Sequence, residues 1–230
     1  MISVCMPVYN GSKYIKEQMD SILCQLGSDD EVVVSDDSST DNTIEILRSY
    51  NDSRIKILEN NTFHSVIYNL ENALKHAKGD YIFLSDQDDV WISGKVKECV
   101  ELLLKFDCVV TDAQVVDSDL NIIFPSFMKL NHSRKGFWWN IIKNGFIGCC
   151  MCFTHDMKEK CLPFPHDIAM HDIWLGLVMS KYGKVYFYRK PFLKYRRHGA
   201  NISATAEKSS YSLLFKIKYR LYLLIKVLFR

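Results

Sequence analysis

The chain opens on an unbroken apolar run, ISVCMPV at Ile2–Val8, and then changes rhythm. From Ser12 to Gln25 the apolar residues Ile15, Met19, Ile22 and Leu23 fall at helical spacing. EVVVS, Glu31–Ser35, is a β-branched run suited to a strand covered on both faces. Thr40 or Asp41 is placed to cap a helix carrying Ile44 and Leu47, and a short strand follows at Arg54–Leu58. Ser65–His76 predicts a helix ended by Lys78-Gly79. Asp80–Ser85 reads as the next strand, Ser93–Phe106 as a long helix aligned on Val96, Val100 and Leu103, and Cys108–Val110 begins another strand. The pattern then loosens. Trp138–Lys143 has helical spacing, Ile147–Thr154 is strand-like, His171–Tyr182 helical and Lys184–Tyr188 strand-like.

Strands alternating with helices through short connections predict an α/β fold, with a mostly parallel central sheet and helices on both faces. In such a sheet ligands bind beyond the carboxyl ends of the strands. Polar clusters sit where the strands end: Pro7-Val8-Tyr9-Asn10 after the first, Asp36-Asp37-Ser38-Ser39 after the second, Asp86-Gln87-Asp88-Asp89 after the fourth. Parallel strands end on one side, so these clusters converge on one crevice. No repeat, low-complexity tract or linker divides the 230 residues, and a single domain is expected.

Composition narrows the class. A formal net charge of +2 is too small to argue for nucleic acid, so none is expected as a partner. Met1–Cys5 has no basic region ahead of its apolar residues, and Pro7 and Asn10 interrupt them, so no secretory leader is expected. No apolar stretch reaches the length of a membrane span. Cys149-Cys150-Met151-Cys152 contains a CxxC, but no second pair or histidine spacing completes a zinc site. The other cysteines lie among apolar residues, as buried free thiols of a reducing compartment do.

The acidic stretch FLSDQDDVW at 83–91 raises a chemical question. Crowded carboxylates repel, and each resists ionising beside its neighbours. A divalent cation relieves this. Mg²⁺ and Mn²⁺ take hard oxygen ligands, commonly one or two protein carboxylates with substrate phosphate oxygens. Asp86 and Asp88, two apart in an extended segment, share one side.

VCMPVYN near the start, VVVSDDSSTDNT at 32–43 and FLSDQDDVW at 83–91, in that order and spacing, resemble the nucleotide-sugar half of family 2 glycosyltransferases, which have the GT-A fold. The resemblance implies Asp88 as the direct metal ligand and Asp86 in contact with ribose or with water on the metal. Asp89 takes either role or, with Trp91, lies toward the acceptor. It implies that Asp37, more than Asp36, accepts the imide N–H of uracil or thymine, a donor that cytosine lacks; an Asx-turn or helix cap would explain the same residue. Pro7, Tyr9 and Asn10 would shape the loop beneath the base, with Tyr9 stacking there or packing in the core.

An inverting transfer also needs a base to take the acceptor hydroxyl proton. PHDIAMHDIWLG at 165–176 offers Asp172, followed at once by an apolar helix, with Asp167 as the alternative. His155-Asp156 is a third copy of the dipeptide at the end of a strand pattern and is set aside. His171 is placed on the acceptor side. Gly148, in GFIGCCMCF, permits close approach of substrate there. Trp174 walls the acceptor sugar or fills the core. LKYRRHGANIS at 193–203 resembles a segment after the last core strand of many bacterial transferases of this family. It would use His198 on the metal or diphosphate and Arg196 and Arg197 at the phosphates.

The tail, SLLFKIKYRLYLLIKVLFR, threads Lys216, Lys218, Arg220, Lys226 and Arg230 through an apolar helix pattern with no acidic residue. Such a helix lies in an anionic membrane surface or closes the fold by packing; a lipid-linked acceptor favours the first. The expected organisation is a GT-A domain over 1–205, divided into a nucleotide-sugar half (1–112) and an acceptor half (113–205), then a basic amphipathic helix at 206–230. The expected protein is a cytoplasmic, inverting, Mn²⁺- or Mg²⁺-dependent glycosyltransferase, peripheral on the inner face of a bacterial plasma membrane. Its donor would be dTDP-rhamnose, a UDP-hexose or a UDP-N-acetylhexosamine, and its acceptor a lipid-linked saccharide of a surface polysaccharide such as O-antigen or capsule. Two rivals are a nucleotidyltransferase, whose Gly-rich basic loop PVYNGSKYI lacks, and a non-catalytic sugar-nucleotide or scaffold module, against which Asp86, Asp88 and Asp172 argue.

Overall fold

Every residue of β1 (Ile2–Val8) is buried, and so is every residue of β2 (Glu31–Asp36). Successive side chains of a strand point to opposite faces, so both faces of the sheet are covered here. The structure, a computed structural model, describes residues 1–197 and 212–230. Between the two strands runs α1 (Ile15–Leu23), which buries Ile15, Met19, Ile22 and Leu23 as their spacing predicts. α2 (Thr43–Ser49), β3 (Ile55–Leu58), α3 (Val66–His76) and β4 (Tyr81–Leu84) continue the alternation. In space β3, β2, β1 and β4 are neighbours in that order, all parallel.

The second half adds β5 (Val90–Trp91), α4 (Lys95–Leu103), β6 (Cys108–Val116), β7 (Ile122–Phe124), α5 (Phe127–Leu130) and α6 (Phe137–Ile142). It continues with β8 (Met151–Thr154), α7 (His155–Cys161), α8 (His171–Tyr182), β9 (Val185–Arg196) and α9 (Leu213–Leu228). Among the described residues the strands form one nine-stranded sheet, which continues from β4 as β8, β6, β9 and β5, with β7 on β6. β8 is antiparallel to β4 and to β6, β9 is parallel to β6, and β5 is antiparallel to β9. The parallel arrangement therefore holds through β4, and the remainder of the sheet is mixed. The architecture is that of a GT-A fold with a C-terminal helix.

Several local expectations shift. Ile147–Thr154 is not one strand: the Cys150 N–H closes a 3₁₀ turn on Ile147 O at 3.1 Å, and extended pairing starts at Met151. Lys184–Tyr188 proves to be the start of a strand running to Arg196, which passes Pro191 where the ladder with β6 shifts register. Neither Thr40 nor Asp41 is the N-cap of α2. Asn42 occupies that position, while Asp41 accepts the Thr43 N–H at 3.0 Å. His155-Asp156 opens α7, with Asp156 in its first turn, where a carboxylate suits the positive end of the helix. The division expected after residue 112 falls inside β6, and the one after residue 205 lies outside the described residues.

A single apolar core spans both halves, from Val4, Val33 and Phe83 to Phe153, Trp174, Leu175 and Leu193. One charged group is sunk at the opposite edge of the sheet from the strand ends. Glu31 is 1% exposed; its Oε1 accepts from Ser3 Oγ at 2.5 Å and Lys78 N–H at 2.8 Å, and its Oε2 pairs with Lys56.

Candidate active site

The register of the parallel strands builds the site's floor. Val8 lies opposite Asp36, and Leu84 opposite Cys5, so the acidic segment after β4 runs on beside Pro7, Val8 and Tyr9. Gln87 locks the two together: its Oε1 accepts the Tyr9 N–H at 2.9 Å and its Nε2 donates to Tyr9 O at 3.0 Å. A Cβ on Gly11 would come within 2.4 Å of that same Gln87 Oε1, so only glycine fits beneath the bridge. Asn10 adopts φ 49°, accepts the Thr40 N–H on its Oδ1 at 2.8 Å and donates its own N–H to Ser39 Oγ at 2.9 Å. Pro7 is buried in β1, and Tyr9, 55% exposed, stands above the loop rather than in the core.

Asp36 and Asp37 are both buried, and both hold backbone. Asp36 accepts from the Ser39 N–H and hydroxyl. Asp37 accepts the Phe63 N–H at 2.6 Å and the Ser65 N–H at 3.0 Å, and Ser65 is the N-cap of α3. These carboxylates order the loop before α3 against the end of β2; each Asp37 oxygen keeps a second lone pair.

The acidic loop is braced from several elements. Gln18 of α1 donates to Ser85 Oγ at 2.6 Å and Asp86 O at 3.0 Å. Asp86 and Asp88 are half-buried, while Asp89 is fully buried. Asp89 Oδ1 accepts the Arg196 N–H at 3.0 Å, and its Oδ2 is buried without a hydrogen-bond partner. Arg196, expected at the phosphates, has another task. It is 2% exposed, and its guanidinium donates to Asp88 O at 2.8 Å, to Ser118 O and to Glu17, clamping the acidic loop to α1. Arg197 is half-buried and tied by its N–H to Val116 O at 2.8 Å; His198 lies outside the described residues.

Burial, and then the neighbouring Asp88 charge, pushes Asp86 up to about 7. Burial, with Asp88 and Asp86 beside it, carries Asp89 well above the usual carboxylate range. Two groups here escaped the sequence reading. Lys95, fully buried in the first turn of α4, donates to Cys149 O at 3.0 Å, sits 4.2 Å above the Trp91 ring and opposes the rise at Asp86. Cys149 Sγ lies within 4.8 Å of ligand oxygens of both Asp86 and Asp89. Its hydrogen bond with Cys150, and then burial, push the thiol well up, so it meets those carboxylates as a neutral thiol.

The other side of the site arrives through β8. Being antiparallel to β4, β8 starts where β4 ends and delivers the Gly148–Cys150 turn to the same edge. A Cβ on Gly148 would stand 2.6 Å from His171 Nε2, so glycine lets the imidazole close onto the turn. His171 Nδ1 is buried without a partner, and burial lowers that imidazole to about 4, which keeps it neutral. Next to it, in the first turn of α8, Asp172 is 7% exposed. Burial pushes Asp172 up to about 6, against hydrogen bonds from the Ile173 N–H and from Asn144 Nδ2 at 3.2 Å. Its charge is near enough to help raise Asp86. Asp167 is exposed on the preceding loop. The aromatic residues divide otherwise than the acceptor reading implied. Trp174 is 1% exposed and donates Nε1–H to Cys161 O at 2.9 Å, while Trp91 is buried between Lys95 and Phe83; both fill the core.

Residues 3–162 match the model of the family described as Glycosyl transferase family 2. The chain belongs to that family. As a family 2 glycosyltransferase it has relatives among enzymes of bacterial polysaccharide synthesis. It is 31% identical over 242 residues to the dTDP-rhamnosyl transferase RfbG of Shigella flexneri, covering 94% of this chain and 81% of that one. It is 29% identical over 210 residues to the UDP-Glc:alpha-D-GlcNAc-diphosphoundecaprenol beta-1,3-glucosyltransferase WfgD of Escherichia coli, covering 90% and 81%. Among solved structures, S. aureus TarS 1–349 in complex with UDP-GlcNAc superposes with a TM-score of 0.74 at 19% identity, over 98% of this chain and 66% of that one. The mannosyltransferase PcManGT of Pyrobaculum calidifontis in complex with GDP-Man and Mn²⁺ gives 0.61 at 20% identity, over 89% and 58%. Each structural likeness is one of fold.

Proposed function

We propose that this glycosyltransferase inverts the anomeric centre as it moves a sugar from a dTDP- or UDP-linked donor to a hydroxyl of a lipid-linked saccharide. The observation that carries the reading is the meeting, at one sheet edge, of the acidic loop after β4 with Asp172, buried and oriented by Asn144. One half holds a nucleotide diphosphate, and the other removes a proton.

The residues fit a divalent ion. Asp89 Oδ2 is buried and unpartnered beside Asp86, and the donors on offer are carboxylate oxygens, the hard ligands Mg²⁺ and Mn²⁺ take. The neutral Cys149 thiol suits donation to those carboxylates better than ligation. Asp86 and Asp89, whose ligand oxygens lie within 4.8 Å of each other, would hold the ion, with Asp88, the ligand the resemblance implied, outside that group on the same loop. The ion would supply charge stabilisation to the departing diphosphate. Lys95 limits the repulsion among these carboxylates from below. Tyr9 stacks on the base, and Asp37, through its remaining lone pairs, accepts the imide N–H of uracil or thymine. Asp172 takes the hydroxyl proton as the acceptor oxygen attacks the face opposite the leaving diphosphate. Its raised pKa places it near the optimum for a base at neutral pH. Neutral His171, held against Gly148, offers the acceptor a hydrogen bond.

The names of the relatives favour two donors, dTDP-rhamnose and UDP-glucose, and a diphosphoundecaprenol-linked acceptor for one of them. Such an acceptor places the reaction at the cytoplasmic face of a membrane, in the assembly of a surface polysaccharide. Melting temperature in the presence of UDP, dTDP, GDP and their sugar conjugates, each with and without Mn²⁺, tests the donor side. Specific binding raises it by mass action. A metal-dependent rise with uridine or thymidine diphosphates supports the reading, and no rise with any of them ends it.

A further inference from the structure

α9 carries more apolar surface than its packing uses. Its inner seam is anchored: Leu223 and Val227 are fully buried, and Tyr219 OH accepts the Ala169 N–H at 2.8 Å. Lys181 Nζ holds the last turn through Val227 O and Leu228 O, each at 2.9 Å. On the other side, Leu214, Ile217, Leu221, Ile225 and Leu228 recur three and four residues apart, the spacing of a single helical stripe. All are exposed, between 46% and 62%. At about 100° per residue this stripe lies opposite the seam of Tyr219, Leu223 and Val227, so a helix already docked on the fold presents a second apolar face outward.

The neighbouring helix is apolar outward as well. α6 packs against α9 and carries an outward pair of its own, Trp138 at 67% and Ile142 at 59% exposure, four residues apart. An exposed tryptophan beside a leucine-rich stripe is what the interfacial zone of a bilayer accepts, since its ring is apolar and its N–H stays wet.

Charge decides between occupants. Residues 212–230 contain Lys216, Lys218, Arg220, Lys226 and Arg230 and no acidic residue. On the same wheel Lys218 and Arg220 flank the stripe, so a second copy stacked along it would bring like charges together, at a cost of like-charge juxtaposition. An anionic lipid surface attracts them while its acyl boundary takes the stripe. We infer that α9 and α6 together form a membrane-docking face, α9 lying in the plane of an anionic bilayer with Trp138 anchoring beside it. The location gives the face a purpose that rests on the acceptor reading above. Tyr219, on the inner side of α9, is near enough for the Asp172 charge to act on its phenol, and its partner Ala169 precedes α8. The bilayer would thus lie beside the entrance to the base, where a lipid-linked hydroxyl must arrive.

Sedimentation of the full chain with vesicles tests the surface without reference to catalysis. We expect it to pellet with phosphatidylcholine–phosphatidylglycerol vesicles, to remain in the supernatant with phosphatidylcholine alone, and to dissociate as salt rises. The outward triple variant Ile217→Ser, Leu221→Ser, Ile225→Ser should bind at least about tenfold more weakly. Its nucleotide-dependent rise in melting temperature should be unchanged, which also reports that it folds. Trp138→Ser should weaken binding in the same direction. Equal behaviour on charged and neutral vesicles, undiminished binding by the triple variant, or a wild-type dimer in gel filtration that the triple variant splits would each overturn the proposal. Loss of vesicle binding with nucleotide stabilisation intact defeats the surface alone; the reverse defeats the donor reading and spares the surface.

Discussion

Asn144 Nδ2 donates to Asp172 Oδ2 across 3.2 Å, and Asn144 is itself fixed by the Phe146 N–H that its Oδ1 accepts at 3.0 Å. The asparagine thus favours the ionised form of a carboxylate that burial resists ionising. Asn144→Ala should raise the Asp172 pKa above its present value near 6 and lower kcat/KM at neutral pH by roughly tenfold. A pH profile separates this from a general loss of fold, because the acidic limb should move to higher pH while the alkaline plateau partly recovers.

Removing the charge at Asp172 should exchange activity for stability. Its folded pKa of about 6 lies above the ordinary carboxylate value of 3.8, so the native state holds the proton where the unfolded chain has released it. Unfolding free energy therefore falls as pH rises from about 4 to about 6, by up to about 3 kcal/mol for this group. Asp172→Asn should melt higher than wild type at neutral pH, by no more than that amount, and match it near pH 4. Its transfer rate should drop by about two to four orders of magnitude. The wild-type rate should fall about tenfold per unit below pH 6.

Gln87→Ala removes both hydrogen bonds that join the acidic loop to the Tyr9 backbone. Each contributes about 1 kcal/mol, so nucleotide affinity should weaken by roughly tenfold or more. The fold should survive, since Gln87 is half-buried at the rim. Calorimetric titration with UDP or dTDP measures the loss; unchanged affinity would mean that the bridge has no part in nucleotide binding.

Gly148→Ala places a methyl group 2.6 Å from His171 Nε2. His171 and the adjoining Asp172 must then shift, and a displacement near 1 Å at a reacting group can cost about a hundredfold in rate. We expect kcat to fall much further than donor affinity, because the added methyl meets His171, whereas the contacts from this turn to Asp86, Asp89 and Lys95 are made by Cys149.

Glu31→Ala should be costly although it lies far from the chemistry. The substitution strands the Ser3 hydroxyl and the Lys78 N–H and leaves Lys56 without its partner. A loss of about 2 to 4 kcal/mol in urea unfolding is expected. Burial would raise the Glu31 carboxyl, but Lys56, Ser3 and the Lys78 N–H outweigh it and hold the pKa below its ordinary value. The stabilisation is therefore complete above pH about 4.5 and disappears as pH falls through the lower folded value. The difference between variant and wild type should shrink in acid.

What the sequence discloses and withholds follows from the fold. β1 and β2 are legible because strands buried on both faces must be apolar without interruption, and α1 because one of its sides faces water. The acidic loop is legible because its carboxylates are contiguous. Asn144, Lys95 and Cys149 are not, since the first stands 28 residues from its partner and the others meet the carboxylates only after β8 has turned back beside β4. The continuous apolar run GFIGCCMCF does not distinguish a 3₁₀ turn from a strand, so the turn that carries Gly148 and Cys149 is hidden in it. Trp91 and Trp174 adjoin motif residues, and sequence alone groups them with the site. Their neighbours in sequence line a site, but a helix as uniformly buried as α8 has no wet side to offer a tryptophan. Nothing local to Arg196 tells that the end of a strand folds its cation under a loop 108 residues earlier.

The sheet order carries a consequence for how such an enzyme can change. β8 comes after β6 along the chain yet lies between β4 and β6 in space. The strand that covers the free side of β4 is therefore supplied by chain that comes after β6, as a tenon is cut from one timber to lock another. A fragment ending at residue 112 would leave β4 with an open edge, and a graft replacing everything after it would bring a foreign strand into the middle of the sheet. Substitution in the turns at the sheet's edge should therefore disturb the fold less than exchange of everything after residue 112, which would replace an interior strand.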